Sequence, residues 1–261
     1  MSVVERALCG LFELVFPDDC RVCGEPLHEI SRIPVCRRCL KDAAPLVADY
    51  FCVSCRTPFL NRFPLDESGQ CALCRLGLNG FDAVYSYGSY EGSLRKMIHL
   101  FKYGGVQPLA RVFGNFLAAA LPRELRFDLI VPMPLHWTRR WRRRYNQAAL
   151  LAREVSKRWN VPLRNVVKRR RATTPQAGLS NAQRRENVSG AFRATRKLTG
   201  LHVLLVDDVL TTGASASACA RALKRAGARF VTVLALARTD RRTGIFYAAE
   251  AASASAGSFS S

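Results

Sequence analysis

One stretch decides the fold of this chain: Val203-Leu204-Leu205-Val206-Asp207-Asp208-Val209-Leu210-Thr211-Thr212-Gly213-Ala214-Ser215. Its unbroken run of valine and leucine predicts a strand that is buried on both faces, as in a parallel sheet. We expect this strand to stop at the acid pair Asp207–Asp208. Apolar residues recur at helical spacing from about Ser215 to Ala226, so a helix should follow the loop directly.

The loop between this strand and this helix has the features of an anion site. Residues Thr211–Ser215 offer hydroxyls and backbone N–H groups at a helix N-terminus, and Gly213 would let the backbone approach an anion closely. The two acids lie at the carboxyl end of the strand, where open α/β sheets bind their ligands. Because carboxylates repel phosphate, we expect them to accept hydrogen bonds from hydroxyls or to hold a metal ion.

This stretch resembles the phosphoribosyl-pyrophosphate signature of type I phosphoribosyltransferases. The resemblance implies that Asp207 and Asp208 are catalytic residues, which fix the ribose hydroxyls and support positive charge that develops on the sugar. The alternative is an ordinary strand end followed by a capped helix, with both acids merely solvated. The resemblance also implies a site for the 5′-phosphate, formed by Thr211, Thr212, Gly213, Ala214 and Ser215.

Composition indicates a polyanionic partner. The 261 residues include 40 Lys or Arg against 20 acids, a formal net charge of +20, and residues 136–197 hold 18 basic residues and two acids. Such a balance favours nucleic acid, an anionic membrane or phosphorylated ligands. No apolar stretch reaches the ~18 residues that span a bilayer. The first segment, Ser2–Phe16, makes a poor signal peptide, and we expect an amphipathic helix there that packs on its own protein, with binding to a membrane surface as the alternative.

Eight of the ten cysteines form four C-x2-C pairs, separated by 12 residues in the first half and 15 in the second. This is zinc-ribbon spacing and predicts two structural zinc ions, ligated either by sequential or by crossed pairs. Disulfides in an exported protein are the alternative, which the lack of an export signal disfavours. A redox protein would instead hold no metal. Cys9 and Cys219 lie outside the pairs and should be buried thiols. The predicted ligands are Cys20, Cys23, Cys36, Cys39, Cys52, Cys55, Cys71 and Cys74.

The chain divides into three predicted regions. Residues 1–78 would hold the leading helix and a double zinc ribbon whose folding depends on metal. Residues 79–240 alternate strand and helix patterns, including a short strand at Val166–Val167, and predict an α/β domain with a mainly parallel sheet. Residues 241–261 end in an alanine- and serine-rich run that predicts a disordered tail.

Two further loops have sequence features of ligand binding. A tight turn follows the predicted strand 128–131, and the next basic run interleaves arginine with tryptophan, which suits phosphate contact and base stacking but also a solvated face. A long polar loop, 168–187, predicts a mobile lid or a plain surface loop. The candidate pyrophosphate ligands are Met133, Pro134 and Leu135 in the turn, with Arg171 and Arg185 in the lid. The candidate nucleic-acid contacts are Arg139, Arg140, Trp141, Arg142 and Arg143.

Together these motifs resemble the ComF competence-protein family, which joins a double zinc ribbon to a phosphoribosyltransferase-like domain. The chain departs from the family at Arg144-Tyr145, where Gly-Phe is usual. The resemblance implies a cytoplasmic protein that binds phosphoribosyl pyrophosphate with Mg²⁺ and assists single-stranded DNA and other DNA-uptake proteins in natural transformation. Two functions stay open: a phosphoribosyltransferase of unidentified acceptor, and a non-catalytic protein that binds single-stranded DNA and retains the fold.

Overall fold

The computed structural model describes residues 19–27, 31–59, 61–77, 80–135, 145–170 and 190–239. The expected helix over Ser2–Phe16, Cys9 and the expected tail lie outside these residues. Among the described residues, no helix has the length and apolar character needed to cross a membrane. The strands are β1 (Tyr50–Phe51), β2 (Pro58–Phe59), β3 (Ala83–Ser89), β4 (Leu129–Pro132), β5 (Val167–Arg169), β6 (Phe192–Ala194), β7 (His202–Leu210) and β8 (Phe230–Arg238). The helices are α1 (Arg37–Lys41), α2 (Ala72–Arg75), α3 (Gly92–Tyr103), α4 (Leu109–Ala120), α5 (Gln147–Trp159) and α6 (Ala214–Arg225).

Four strands form a parallel sheet in the order β3-β8-β7-β4, which confirms the predicted fold class. After β4 the chain passes through α5 and returns to the outer side of β4, where Leu163 bridges to Ile130. After β7 it passes through α6 to β8, on the opposite side. The loops after β4 and β7 therefore diverge, and the carboxyl ends of these neighbouring strands form a crevice of the kind that binds ligands in open α/β sheets.

The apolar run of β7 is buried on both faces of the sheet. Leu204 and Val206 share a core with α3, α4 and α5, whereas Val203 and Leu205 share one with α6 and with β5 and β6. This division follows from the two-residue period of a strand, which sends successive side chains to opposite faces. Cys219 on α6 is fully buried, as expected for a structural thiol, and burial raises its pKa.

The structure differs from the sequence-based prediction in two places. β7 does not stop at the acid pair but continues to Leu210, because Asp207, Val209 and Leu210 keep parallel register with β8. Backbone pairing depends on the neighbouring strand and not on side-chain polarity, so the end of the apolar run was a poor marker of the strand end. The short strand predicted at Val166–Val167 forms as β5, but it pairs antiparallel with β6 in a separate hairpin.

The cysteine-rich segments contact the parallel sheet through hydrogen bonds. The Tyr87 hydroxyl of β3 donates to the Ala43 carbonyl over 2.7 Å. The Arg238 guanidinium at the end of β8 is only 5% exposed, and it donates to the Cys55 carbonyl over 2.8 Å and to the Thr57 hydroxyl over 2.9 Å. These bonds satisfy a buried cation and hold the second cysteine-rich segment beside the carboxyl end of β8.

Candidate functional site

The loop after β7 turns at Gly213 and leads directly into a helix. Gly213 has a φ of +75°, a left-handed conformation that favours glycine, and α6 begins at the next residue, Ala214. The Ala214 N–H donates to the Thr212 hydroxyl over 3.3 Å. On the far side, the Thr239 hydroxyl donates to the Thr211 carbonyl over 3.3 Å, so the end of β8 braces the loop. Backbone N–H groups and hydroxyls thus gather at the start of α6, where the helix dipole favours an anion.

The two acids of the signature have different partners. The Asp207 carboxylate accepts the backbone N–H of Asp208 over 2.8 Å. The Asp208 carboxylate forms an ion pair with Lys102, with 3.0 Å between Nζ and Oδ2. The side chains of Lys102 and Asp208 are only 11% and 13% exposed, so solvent screens this pair weakly. The charge of Asp208 is therefore compensated by a neighbouring cation.

Lys102 is the residue of this site that sequence analysis missed. It lies in the last turn of α3, where a cation is ordinarily explained by the helix dipole. The partner Asp208 is distant in the chain, and the periodicity of α3 does not indicate which side of the sheet its end approaches. No local signal in the sequence could have linked these two residues.

The end of α3 is fixed by residues that follow the basic run. The Tyr145 hydroxyl donates to the Phe101 carbonyl, and the Gln147 side chain donates to the Lys102 carbonyl over 3.4 Å. The Lys102 ammonium also lies 5.9 Å from the centre of the Tyr90 ring. A phenylalanine at position 145, usual in the resembled family, would lack this hydroxyl. The departure at Tyr145 thus adds a hydrogen bond that orients the segment carrying Lys102.

The turn after β4 is attached to both neighbours. The Met133 N–H donates to the Val206 carbonyl over 2.8 Å, and the Met133 carbonyl accepts from the Asn146 side chain over 3.1 Å. Pro134 has no N–H, so Leu135 carries the first amide of the turn that the sheet does not use. The side-chain oxygen of the same Asn146 amide is buried without a hydrogen-bond partner. The Met133 N–H is therefore used in sheet pairing. Of the three predicted pyrophosphate ligands, Leu135 has the amide best placed to meet an anion.

The other candidate ligands, which are the basic run 139–143 with Arg171 and Arg185, lie outside the described residues. The loop after β7, the acid pair and the turn after β4 do lie at one edge of the sheet, because Asp207 and Asp208 come directly after Val206, which pairs with the last residue of β4.

The eight paired cysteines form two four-sulfur clusters in sequential order. In each cluster the sulfur atoms lie within 4.8 Å of one another. Within each cluster, the sulfurs of one C-x2-C pair lie 3.6–3.9 Å from sulfurs of the other pair. These distances are close to the ~3.8 Å edge of a tetrahedron with Zn–S bonds of about 2.3 Å, and far from a disulfide bond of about 2.0 Å. The clusters are Cys20, Cys23, Cys36 and Cys39, and Cys52, Cys55, Cys71 and Cys74.

The surroundings of these sulfurs suit bound thiolates. The backbone N–H of Cys36 donates to the Cys20 sulfur over 3.2 Å, and that of Cys71 donates to the Cys52 sulfur over 3.3 Å. Hydrogen bonds from Cys55 and Cys71 lower the pKa of Cys52, while hydrogen bonds with Cys52 and Cys55 raise the pKa of Cys71, because neighbouring thiols share protons until a cation replaces them. Because thiolates are the zinc-ligating form, both clusters have the chemistry to hold a zinc ion, and the sequential pairing is favoured over the crossed one.

Known proteins are similar to this chain in sequence. A family model described as "Phosphoribosyl transferase domain" matches residues 146–246. Competence protein F of Haemophilus influenzae is 33% identical over 179 residues, which cover 65% of this chain and 78% of the relative. DNA utilization protein YhgH of Salmonella typhimurium is 30% identical over 236 residues, which cover 87% of this chain and 99% of the relative.

A solved structure of glutamine phosphoribosylpyrophosphate amidotransferase from B. subtilis, complexed with ADP and GMP, is also similar. Its TM-score is 0.35 at 20% sequence identity, and the match covers 49% of this chain. The match spans about a quarter of that structure, 26% of its length.

Proposed function

The chain belongs to the ComF competence-protein family, and we propose that it binds phosphoribosyl pyrophosphate with Mg²⁺ in the crevice between β4 and β7. The observation that carries this proposal is the joint position of the cradle Thr211–Ser215 and the acid pair at one carboxyl edge. A phosphate monoester suits the start of α6, and ribose hydroxyls suit carboxylate acceptors. β7 provides the carboxylates, and the loop that leads from it into α6 provides the amides and hydroxyls.

The residues of the crevice have separate roles in this proposal. The amides and hydroxyls of Thr211–Ser215 hold the 5′-phosphate, while Asp207 and Asp208 accept hydrogen bonds from the ribose hydroxyls. The turn at Leu135 faces the pyrophosphate. Mg²⁺ would neutralise part of the pyrophosphate charge, and the two carboxylates are donors of the kind that it prefers.

Lys102 reduces the negative charge of the crevice. Because its ammonium compensates the Asp208 carboxylate, a polyanionic ligand meets less electrostatic repulsion there. The ligand hydroxyls then compete with Lys102 for Asp208, and the ammonium is free to move toward the phosphates. Tyr145 and Gln147 keep the backbone around Lys102 in place during this exchange.

If the protein is a transferase, an acceptor nucleophile displaces pyrophosphate at the anomeric carbon. Positive charge develops on the ribose ring in the transition state, and the carboxylates of Asp207 and Asp208 stabilise it electrostatically. The acceptor is not identified by any described residue. The four-sulfur clusters would bind zinc for folding and take no part in this step.

A second function, binding of single-stranded DNA without turnover, is supported by a different observation. The net charge is +20, and the relatives carry names that refer to competence and to DNA utilization. We propose that the chain acts on the cytoplasmic side in DNA uptake, with single-stranded DNA and other uptake proteins as partners. Pyrophosphate release from phosphoribosyl pyrophosphate, measured with and without single-stranded DNA, separates a transferase from a binding protein.

Ligand binding is tested by calorimetric titration of the zinc-loaded full chain with phosphoribosyl pyrophosphate and Mg²⁺. Ser215→Asp places a carboxylate in the second position of α6, where an acid stabilises a helix but repels phosphate. At about 4 Å and an effective dielectric constant near 20, the repulsion is about 4 kcal/mol, or roughly a 1000-fold loss of affinity. The matched control is Ser93→Asp, the same substitution at the second position of α3.

We expect both variants to keep the wild-type unfolding temperature and only Ser215→Asp to lose binding. Equal affinity for wild type and Ser215→Asp would refute the cradle assignment. A wild-type chain that shows no heat of binding at millimolar ligand would refute the proposed function as a whole.

A further inference from the structure

The hairpin of β5 and β6 carries a cationic surface on the face of the sheet that α6 covers. Its inward residues, Val167 and Phe192, are buried in the core that includes α6. Its outward residues, Lys168, Arg170 and Arg193, are exposed. The segments 161–170 and 190–200 together contain seven Lys or Arg and no acid.

Two of these cations lie directly opposite each other. The strand register pairs Lys168 with Arg193, so their Cβ atoms are about 5 Å apart. Like charges in this position destabilise a strand pair, and an acid at either position would stabilise it. Among the described residues no ion pair is recorded for Lys168, Arg170 or Arg193. The folded chain thus retains a costly arrangement that an anionic partner would relieve.

The shape of this surface suits an extended polyanion. Lys168, Arg170, Arg193 and Thr195 line an open depression of about 380 Å³. Lys168 and Arg170 are two residues apart on one strand, or about 7 Å, and Arg193 lies across from them. The cations are therefore spread along the hairpin and do not converge on one point, as they would around a single small anion. Arg196 and Lys197, both exposed, extend the row beyond β6.

We propose that this surface, Lys168, Arg170 and Arg193 with Arg196 and Lys197, binds the phosphate backbone of nucleic acid, an inference that rests on the proposed DNA-binding function and assigns a site to it. None of the exposed large apolar side chains in the described part of the chain lies on β5 or β6, so these two strands offer no such side chain to a lipid bilayer. The aromatic ring of Phe192 is only 3% exposed and cannot stack on a base. Contact is therefore electrostatic and independent of base sequence. The crevice between β4 and β7 is formed by other residues, the acid pair on β7 and the loop that leads into α6.

The proposal is tested by fluorescence anisotropy of the zinc-loaded full chain with a labelled 20-nucleotide single strand, and with its duplex, over a range of salt concentrations. The double variant Lys168→Gln with Arg193→Gln removes the opposed pair. Loss of two phosphate contacts lowers the magnitude of the log–log salt slope for single strands by about 1.4. If the affinities converge at 1 M salt, the variant binds about 25-fold more weakly at 0.1 M. Because the substitution relieves repulsion, its unfolding temperature should equal or exceed that of wild type.

The matched control is Arg111→Gln with Arg153→Gln, which removes two exposed arginines from α4 and α5 on the opposite face of the sheet. The exchange Lys168→Arg with Arg193→Lys keeps both charges and should retain wild-type affinity. The proposal is overturned if the hairpin variant binds like wild type, or if it and the control lose affinity equally, because net charge alone would then explain the loss. Hairpin-dependent binding to anionic lipid vesicles without binding to either oligonucleotide would also overturn it.

Discussion

Replacing Lys102 with methionine should destabilise the protein by about 3 kcal/mol, because it leaves the Asp208 carboxylate without its cation. The two charges are 3.0 Å apart, and their side chains are 11% and 13% exposed. At an effective dielectric constant near 20, the attraction over that distance is about 5.5 kcal/mol before desolvation is subtracted. Removing one partner of a fully buried pair costs roughly 3–5 kcal/mol, and the residual exposure favours the low end.

The assay is a double-mutant cycle read by thermal unfolding of the zinc-loaded full chain. For a chain of this size, about 3 kcal/mol corresponds to a fall in Tm of roughly 6–12 °C. The Tm of Asp208→Asn should fall by a similar amount, since this substitution leaves the Lys102 ammonium without its anion. The double variant Lys102→Met with Asp208→Asn removes both charges and should lose only about 1 kcal/mol, which gives a large coupling energy. Single effects that add within ~0.5 kcal/mol would refute a coupled, weakly screened pair.

Three further predictions concern metal, backbone and pH. Elemental analysis should find two zinc ions per chain, and a strong chelator should abolish the cooperative unfolding transition of the cysteine-rich segments; metal-free protein with an unchanged transition would contradict this. Gly213→Ala should cost only about 1–2 kcal/mol by thermal unfolding, since the added Cβ would meet no atom closer than 3.9 Å and only the φ of +75° opposes it; a loss above ~3 kcal/mol would indicate a packing role instead. Burial lowers the pKa of His202, so the folded state resists protonation and stability should fall as pH drops below about 6.5. His202→Gln should weaken that dependence, and an unchanged slope of Tm between pH 7.5 and 5.5 would argue against it.

The strand, loop and helix around the signature were predictable because each has a local cause. Branched apolar residues favour the buried strand β7, and Gly213 permits the left-handed turn that starts α6. The cysteine clusters were predictable to the level of their spacing, whereas the choice of sequential pairing emerged only when the sulfur distances were known.

The features that the sequence did not predict depend on contacts between residues that are far apart in the chain. The end of β7 is set by pairing with β8, and the hairpin of β5 and β6 joins segments that are far apart in the chain. The ion pair between Lys102 and Asp208 depends on where α3 ends relative to the sheet. A basic residue in a last helical turn and an acid at a strand end each have a sufficient local explanation, so neither reveals the other.

The most direct test of the central claim is a crystal structure of the full chain with phosphoribosyl pyrophosphate and Mg²⁺. The account predicts the 5′-phosphate against the amides of Thr211–Ser215, ribose hydroxyls within hydrogen-bond distance of Asp207 and Asp208, and the Lys102 ammonium shifted from Asp208 toward the pyrophosphate. A ligand bound elsewhere, with the loop empty and the 3.0 Å contact between Lys102 and Asp208 unchanged, would contradict it.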